Sequence, residues 1–98
     1  MSDQELLKGL RDHDRRLVEV VYSQVRPGII SYVRDNSGTK DEAADLIQEA
    51  MLAAYIKATE PDFELTAALS TYIQSIARLL WLKHLDRYKK RYKPDNTI

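Results

Sequence analysis

Apolar residues recur along this chain at intervals of three and four, and this spacing limits the possible folds more than any other feature. The interval matches the turn of an α-helix and not the two-residue alternation of a strand. Only three glycines and three prolines interrupt the pattern over 98 residues. The sequence therefore predicts an all-α fold, a compact bundle of four helices of which the last is the longest.

The length predicts one domain, because a chain this short closes a single hydrophobic core. We expect the helical domain to cover residues 1–93. Pro94-Asp95-Asn96 favours extended chain, so residues 94–98 are expected to form the start of a linker or tail.

Local signals predict where the first three helices begin. Ser2-Asp3-Gln4-Glu5 and Thr39-Lys40-Asp41-Glu42 both fit the capping box, in which a hydroxyl and a carboxylate satisfy free backbone amides reciprocally. The second helix follows Asp12-His13-Asp14 and ends at the turn Asn36-Ser37-Gly38. Two aspartates around a histidine could hold a metal, but an interhelical turn whose aspartates cap a helix is the favoured interpretation.

Prolines and one capping residue give the remaining signals for where the helices bend, end and begin. Pro27-Gly28 is expected to kink or interrupt the second helix. Pro61 ends the third helix, and Thr66 is the expected cap of a fourth helix running from Ala67 to about Tyr92.

The composition excludes several classes of function. The chain has no cysteine, so it has no disulfide, thiolate nucleophile or cysteine-ligated metal. No apolar run reaches the length of about eighteen residues that a membrane span needs. Motifs of zinc proteases, phosphate-binding loops and serine hydrolases do not occur. We therefore expect a cytoplasmic protein that is not an enzyme and has neither cofactor nor metal.

The net charge of zero conceals an uneven distribution of charge. Residues 41–64 carry seven acidic groups against Lys57, a balance of −6, whereas residues 78–98 carry seven basic groups against two acidic ones, a balance of +5. Two surfaces of opposite charge suggest two different partners.

The third helix combines acidic and aliphatic residues on the face opposite its predicted core stripe. That stripe consists of Leu46, Ile47, Ala50, Met51, Ala54 and Tyr55. Asp45, Gln48, Glu49 and Leu52 follow at helical spacing, with Asp41 one turn before and Ile56 one turn after. Either this is a solvated acidic face with stray apolar residues, or it is a ridge that binds a partner. A purely solvated face would not need Leu52 and Ile56.

The fourth helix contains Leu79-Leu80-Trp81-Leu82, which surrounds the whole helix with apolar side chains. If the core stripe runs through Ile73, Ile76, Ala77 and Leu80, the Trp81 ring is at least partly exposed. An exposed indole beside a basic helix end suits binding of single-stranded nucleic acid, because cations neutralise phosphates and the ring stacks on bases. The alternative is a buried Trp81 followed by a solvated basic end.

Three segments together resemble region 2 of the sigma-70 family of RNA polymerase sigma factors. Residues 41–55, DEAADLIQEAMLAAY, resemble the family signature DAEDLVQEVFLRLW, and residues 69–78, LSTYIQSIAR, resemble FRAWLYRIAR. Residues 22–27, YSQVRP, look like YRRYRP, and the basic residues 87–91 resemble the closing arginine run. The resemblance covers about residues 5–92, and its compact spacing suggests the extracytoplasmic-function group.

The resemblance implies a transcription initiation domain with two partners. One is the β′ clamp helices of the RNA polymerase core, and the other is the nontemplate strand of the promoter minus-ten element, which the domain recognises and helps to melt. By position, the polymerase site comprises Asp41, Asp45, Gln48, Glu49 and Leu52. Loop 60–70 matches the segment that takes a flipped base. The implied DNA contacts are Phe63, Gln74, Arg78, Trp81, Lys83, Arg87, Lys90 and Arg91.

Three residues depart from the family pattern: Tyr72 replaces a tryptophan, Leu79 an asparagine and Lys83 an acidic residue. Leu79 and Lys83 support an alternative, a sigma-like interaction module that binds an anti-sigma factor without binding DNA. The region 4 that reads the minus-thirty-five element is not in the sequence, so we expect a fragment or a reduced homologue.

Overall fold

A computed structural model describes the backbone of residues 1–91 and the side chains of residues 1–88. It contains four helices, α1 (Asp3–Arg11), α2 (Arg15–Asp35), α3 (Lys40–Ala58) and α4 (Leu69–Arg91), of which α4 is the longest. The predicted all-α bundle is confirmed. The expected end of the last helix at Tyr92 and the tail 94–98 lie outside the described residues.

Both predicted capping boxes form. The Ser2 hydroxyl accepts from the backbone N–H of Glu5, whose carboxylate accepts from the backbone N–H of Ser2, each at 3.1 Å. Thr39 and Glu42 make the same pair at the start of α3. Asp14 caps α2, as its position predicted, by accepting from two amides of the first turn. These starts are therefore determined by residues within one turn of each helix.

Pro27 does not interrupt α2, so the interruption expected there was wrong, and a kink at this residue stays a prediction. The helix runs without a break from Arg15 to Asp35. Proline removes one helical hydrogen bond, which leaves the carbonyl of Ser23 without its usual donor. Both Ser23 and Pro27 are exposed, so water can solvate that carbonyl. On the outer face of a helix the missing bond costs less than it would in the core.

The core lies where α2, α3 and α4 pack against one another, and α1 closes it from one side. Each helix contributes residues spaced by three or four: Leu6, Leu7 and Leu10 from α1; Val21, Val25, Ile29 and Val33 from α2; Ala43, Leu46, Ile47, Ala50, Ala54 and Ala58 from α3; Leu69, Ile73, Ala77 and Trp81 from α4. The predicted core face of α3 is thus confirmed, with Met51 and Tyr55 half-buried at its margin.

The start of α4 differs from the prediction. The helix begins at Leu69, not Ala67, and Thr66 does not cap it. Instead, the backbone N–H of Leu69 donates to the Asp3 carboxylate at 3.1 Å. Ala68 precedes the helix and has no side-chain acceptor. Asp3, which is distant in sequence, therefore caps α4 in place of a neighbouring residue.

Across residues 1–91, none of the helices combines the length and the apolar character needed to cross a membrane.

Candidate functional site

One face of α3 carries the acidic and aliphatic residues that the sequence grouped together, and we call it the acidic ridge: Asp41, Asp45, Gln48, Glu49 and Leu52. All five are exposed, and they lie on the face opposite the buried stripe of α3. Leu52 is 59% exposed, and Ile56, one turn further on, is 53% exposed. The prediction that this face is open to solvent is confirmed.

The acidic ridge has the chemistry of a surface that binds another helix. Exposed carboxylates can pair with basic side chains, and exposed aliphatic groups can pack against apolar ones. Large aliphatic side chains that remain exposed beside the same acidic cluster form a continuous amphipathic strip. A partner helix with basic and apolar residues would fit this strip.

A cleft between α3 and α4 connects the acidic ridge to Arg87 on α4. Asp45 and Glu49 line it from α3, and His84 and Arg87 line it from α4. The structure therefore brings Arg87, a predicted DNA contact, next to two predicted polymerase contacts. The two surfaces adjoin each other along this cleft.

The wall of the cleft contains a cross-helix contact that the sequence analysis missed. His84 Nε2 lies 3.3 Å from the Glu42 carboxylate, and the His84 ring stacks on Trp81 with centroids 4.9 Å apart. Donation from the Thr39 backbone N–H is the main cause that lowers the pKa of Glu42 below 4.5, and the contact with His84 adds to it. Glu42 therefore both caps α3 and ties it to α4.

Trp81 is buried, so the expectation of an exposed ring was wrong. Only 2% of the residue is accessible, and its indole N–H donates to the backbone carbonyl of Asn36 at 3.1 Å. The core stripe of α4 follows the four-residue steps Leu69, Ile73, Ala77 and Trp81, while Ile76 and Leu80 are half-buried beside it. A buried ring with a satisfied N–H cannot stack on a base, so Trp81 belongs to the core and not to a DNA interface.

We call the solvent-exposed surface of α4 its outer face, and three of the predicted DNA contacts are exposed on it: Arg78, Lys83 and Arg87. Arg78 lies on the side towards α2 and Arg87 on the side towards α3. The Arg78 guanidinium lies over the Tyr32 ring at 5.3 Å, a cation–π contact that holds its position. Leu79 and Leu82 are also exposed on this helix, at 62% and 54%. The face is thus basic and partly apolar.

The other predicted DNA contacts are less open or lie beyond the described side chains. Gln74 is half-buried, next to Gly28, where an added Cβ would lie 2.6 Å from its side-chain oxygen. Phe63 is half-buried, with its ring 5.5 Å from that of Tyr72. The side chains of Lys90 and Arg91 are outside the described part of the chain.

Loop 59–68 joins α3 to α4 and carries Phe63. Its two ends are held by α1, since Arg11 Nε donates to the Ala58 carbonyl at 2.6 Å and Asp3 accepts from Leu69. Sequence reasoning missed both contacts. They join residues 47 and 66 positions apart, and no local signal marks such pairs.

Asp12-His13-Asp14 forms the turn between α1 and α2. Asp14 caps α2, Asp12 pairs with Lys8 at 2.8 Å, and His13 Nε2 lies 2.8 Å from the Tyr55 hydroxyl. Among the described residues, no three acidic or histidine side chains group as metal ligands would.

Comparison with known families gives a match over most of the chain. The family model for Sigma-70 region 2 matches residues 21–91, which is most of the chain. Searches of curated proteins and of solved structures found no match.

Proposed function

The chain belongs to the sigma-70 family as a region 2 domain, and from that premise we propose that it binds the β′ clamp helices of RNA polymerase and the minus-ten element of promoters. Region 2 of sigma factors takes part in binding the polymerase core and in promoter melting. The finer proposal assigns the acidic ridge to the clamp helices. It assigns the outer face of α4 and loop 59–68 to the nontemplate strand. We propose a cytoplasmic module of the extracytoplasmic-function group without catalysis of its own.

The observation that carries the proposal is the exposure of the whole acidic ridge. A coiled coil presents a strip of apolar side chains flanked by charged ones. Leu52 and Ile56 offer apolar area, and Asp45 and Glu49 offer charges to basic residues on such a target. The ridge therefore offers the apolar surface and the negative charges that a basic coiled coil would contact.

The test is charge reversal on the ridge. We expect Asp45→Lys with Glu49→Lys to weaken binding to immobilised core polymerase at least tenfold, as loss of two charge pairs would. Because both side chains are exposed, the free energy of unfolding should change by less than about 0.5 kcal/mol.

A matched control reverses two other exposed acids, Glu19→Lys with Asp35→Lys on α2, so the net charge changes equally. Undiminished polymerase binding by the ridge variant, or equal loss in the control, would contradict the assignment of this face.

The proposal for DNA rests on Arg78, Lys83 and Arg87, which are exposed on α4. Each neutralised phosphate releases counterions, so the logarithm of single-strand affinity should fall with the logarithm of salt by about 0.7 per contact. Replacing Arg87, Lys90 and Arg91 by alanine should flatten that slope.

The matched control for DNA binding is Lys8, Arg15 and Arg16 to alanine, which removes the same charge from α1 and the start of α2. A slope that is unchanged in the α4 variant, or flattened equally in the control, would place the DNA elsewhere.

A second function is favoured by Leu79 and Leu82, whose exposed side chains lie among the basic residues of α4. An interaction module that binds an anti-sigma factor in place of DNA would present such an apolar surface. This module would bind neither core polymerase nor single-stranded DNA, whereas the initiation domain would bind at least the polymerase. The two binding assays above therefore distinguish the candidates.

A further inference from the structure

The first helix, α1, contacts both ends of loop 59–68. Its first residue, Asp3, accepts from the backbone N–H of Leu69, where α4 begins. Its last residue, Arg11, donates to the carbonyl of Ala58, where α3 ends. The length of α1 thus spans the gap between the end of one helix and the start of the next.

Both contacts satisfy backbone groups that a helix terminus leaves free. The Leu69 N–H is among the first amides of α4, and the Ala58 carbonyl is among the last of α3. The charges also have the favourable sign, because a carboxylate stabilises a helix N-terminus and a guanidinium stabilises a C-terminus. Each contact therefore fixes one anchor of the loop.

Helix α1 is itself firmly placed. Leu6, Leu7 and Leu10 are buried, and Gly9 packs so closely on Leu17 that an added Cβ would lie 2.5 Å from its Cδ1. Its own capping box closes its start. Helix α1 lies before the segment that the family model matches, residues 21–91.

We infer that α1 is a brace that holds loop 59–68 in the shape needed to receive a base of the nontemplate strand, with Asp3 and Arg11 as its positioning residues. This inference rests on the proposed function. Between the anchors, Phe63 packs on Tyr72 and Leu65 on the core, so the loop is held at both ends and in its middle. A loop held in its binding shape loses less conformational entropy when the strand binds.

The experiment combines two readouts on Asp3→Ala and Arg11→Ala. Hydrogen exchange of the peptide covering loop 59–68 reports its order without DNA. Fluorescence anisotropy with a labelled AT-rich single-stranded oligonucleotide reports binding. We expect faster loop exchange and about three- to tenfold weaker binding in each variant, the size of one lost capping contact. Binding to core polymerase through the acidic ridge should not change.

Two kinds of control separate positioning from general damage. Asp3→Asn keeps an amide oxygen that can accept from Leu69, so it should restore slow loop exchange and most of the DNA affinity. Asp12→Ala and Lys8→Ala make the same changes of charge on the exposed Lys8–Asp12 pair, and should behave as the wild type.

Three outcomes would overturn the inference. In one, the wild type binds the oligonucleotide and the Asp3→Ala and Arg11→Ala variants bind it equally well. In another, loop exchange does not change. In the third, Asp3→Asn fails as badly as Asp3→Ala. If the wild type itself does not bind the strand, the proposed DNA function fails instead, and the inference falls with it.

Discussion

Helices α3 and α4 both contribute to the core, yet the buried face of α3 could be predicted from its sequence and that of α4 could not. On α3 the acidic residues and the small apolar residues occupy opposite faces, so the buried stripe and the acidic ridge separate clearly. On α4 four apolar residues follow one another, and the structure buries Trp81, half-buries Leu80 and exposes Leu79 and Leu82. The pattern of polar and apolar residues alone therefore predicts the buried face of α3 but not that of α4.

The difference shows what settles the orientation of an apolar run. Trp81 faces inward because the turn between α2 and α3 receives it: Asn36 offers a carbonyl to its N–H, and Gly38 leaves room for its ring. The position of Trp81 is therefore determined by residues far away in the sequence. The ridge on α3 needs no such partner, because solvent already favours its carboxylates.

The largest effect should follow from removing the Trp81 ring. We expect Trp81→Ala to lower the free energy of unfolding by about 3–5 kcal/mol, because it leaves a cavity and an unpaired carbonyl at Asn36. The measurement is urea denaturation followed by circular dichroism.

Leu82→Ala on the same run is the matched control, since this residue is 54% exposed and should change stability by less than about 0.5 kcal/mol. Similar costs for both substitutions would break the contrast between the inner and outer residues of α4.

An intermediate effect on stability is expected at Gly38, which packs against the Trp81 ring. A methyl group there would lie 2.6 Å from Trp81 Cη2 and would also meet Val33. We expect Gly38→Ala to destabilise the fold by about 1–3 kcal/mol, the usual cost of overpacking. Thermal unfolding measures it.

The double variant Gly38→Ala with Trp81→Ala provides the check. Once the ring is gone, the added methyl should cost less than it does alone, because the two positions share one space. Additive costs would show that Gly38 serves the turn and not the indole.

The parts of the fold that could be predicted depend on neighbours within one or two turns. Ser2 with Glu5, Thr39 with Glu42, and the core stripe of α3 all fall in this class. The interruption expected at Pro27 does not occur. The cost of the hydrogen bond that proline removes depends on the exposure of that turn, which a local motif does not reveal.

The candidate site divides in the same way. The acidic ridge was found because its pattern lies within one helix. The contacts of α1 with loop 59–68 join residues 47 and 66 positions apart, and so require the tertiary structure. The hydrogen bond from Trp81 to the Asn36 carbonyl, 45 positions away, likewise requires the tertiary structure.

The smallest effect concerns Glu42, which links α3 to α4 through His84. Its pKa is lowered in the folded state, first by the Thr39 backbone N–H, so its carboxylate stabilises the fold above pH 4.5. That stabilisation is lost as the pH falls from 4.5 through the lowered pKa. Glu42→Gln keeps an acceptor that does not titrate. Its melting temperature should therefore fall less than that of the wild type on acidification below pH 4.5.

Glu5→Gln is the comparison for this measurement, because Glu5 closes the capping box of α1, its pKa is also lowered, and no histidine contacts it. A difference between the two variants measures the contact between α3 and α4. Identical pH profiles would show that the capping boxes alone account for the effect and that His84 adds nothing.

The buried indole also has a spectroscopic consequence. Trp81 is the only tryptophan of the chain, so the intrinsic emission comes from one ring seated between α4 and the turn that follows α2. Separation of α4 from that turn would expose the ring to water and shift its emission to the red. An oligonucleotide on the outer face of α4 would leave the emission as it was. Trp81 fluorescence thus reports the packing of α4 on that turn. Binding of an oligonucleotide has to be measured with a fluorescent label on the oligonucleotide.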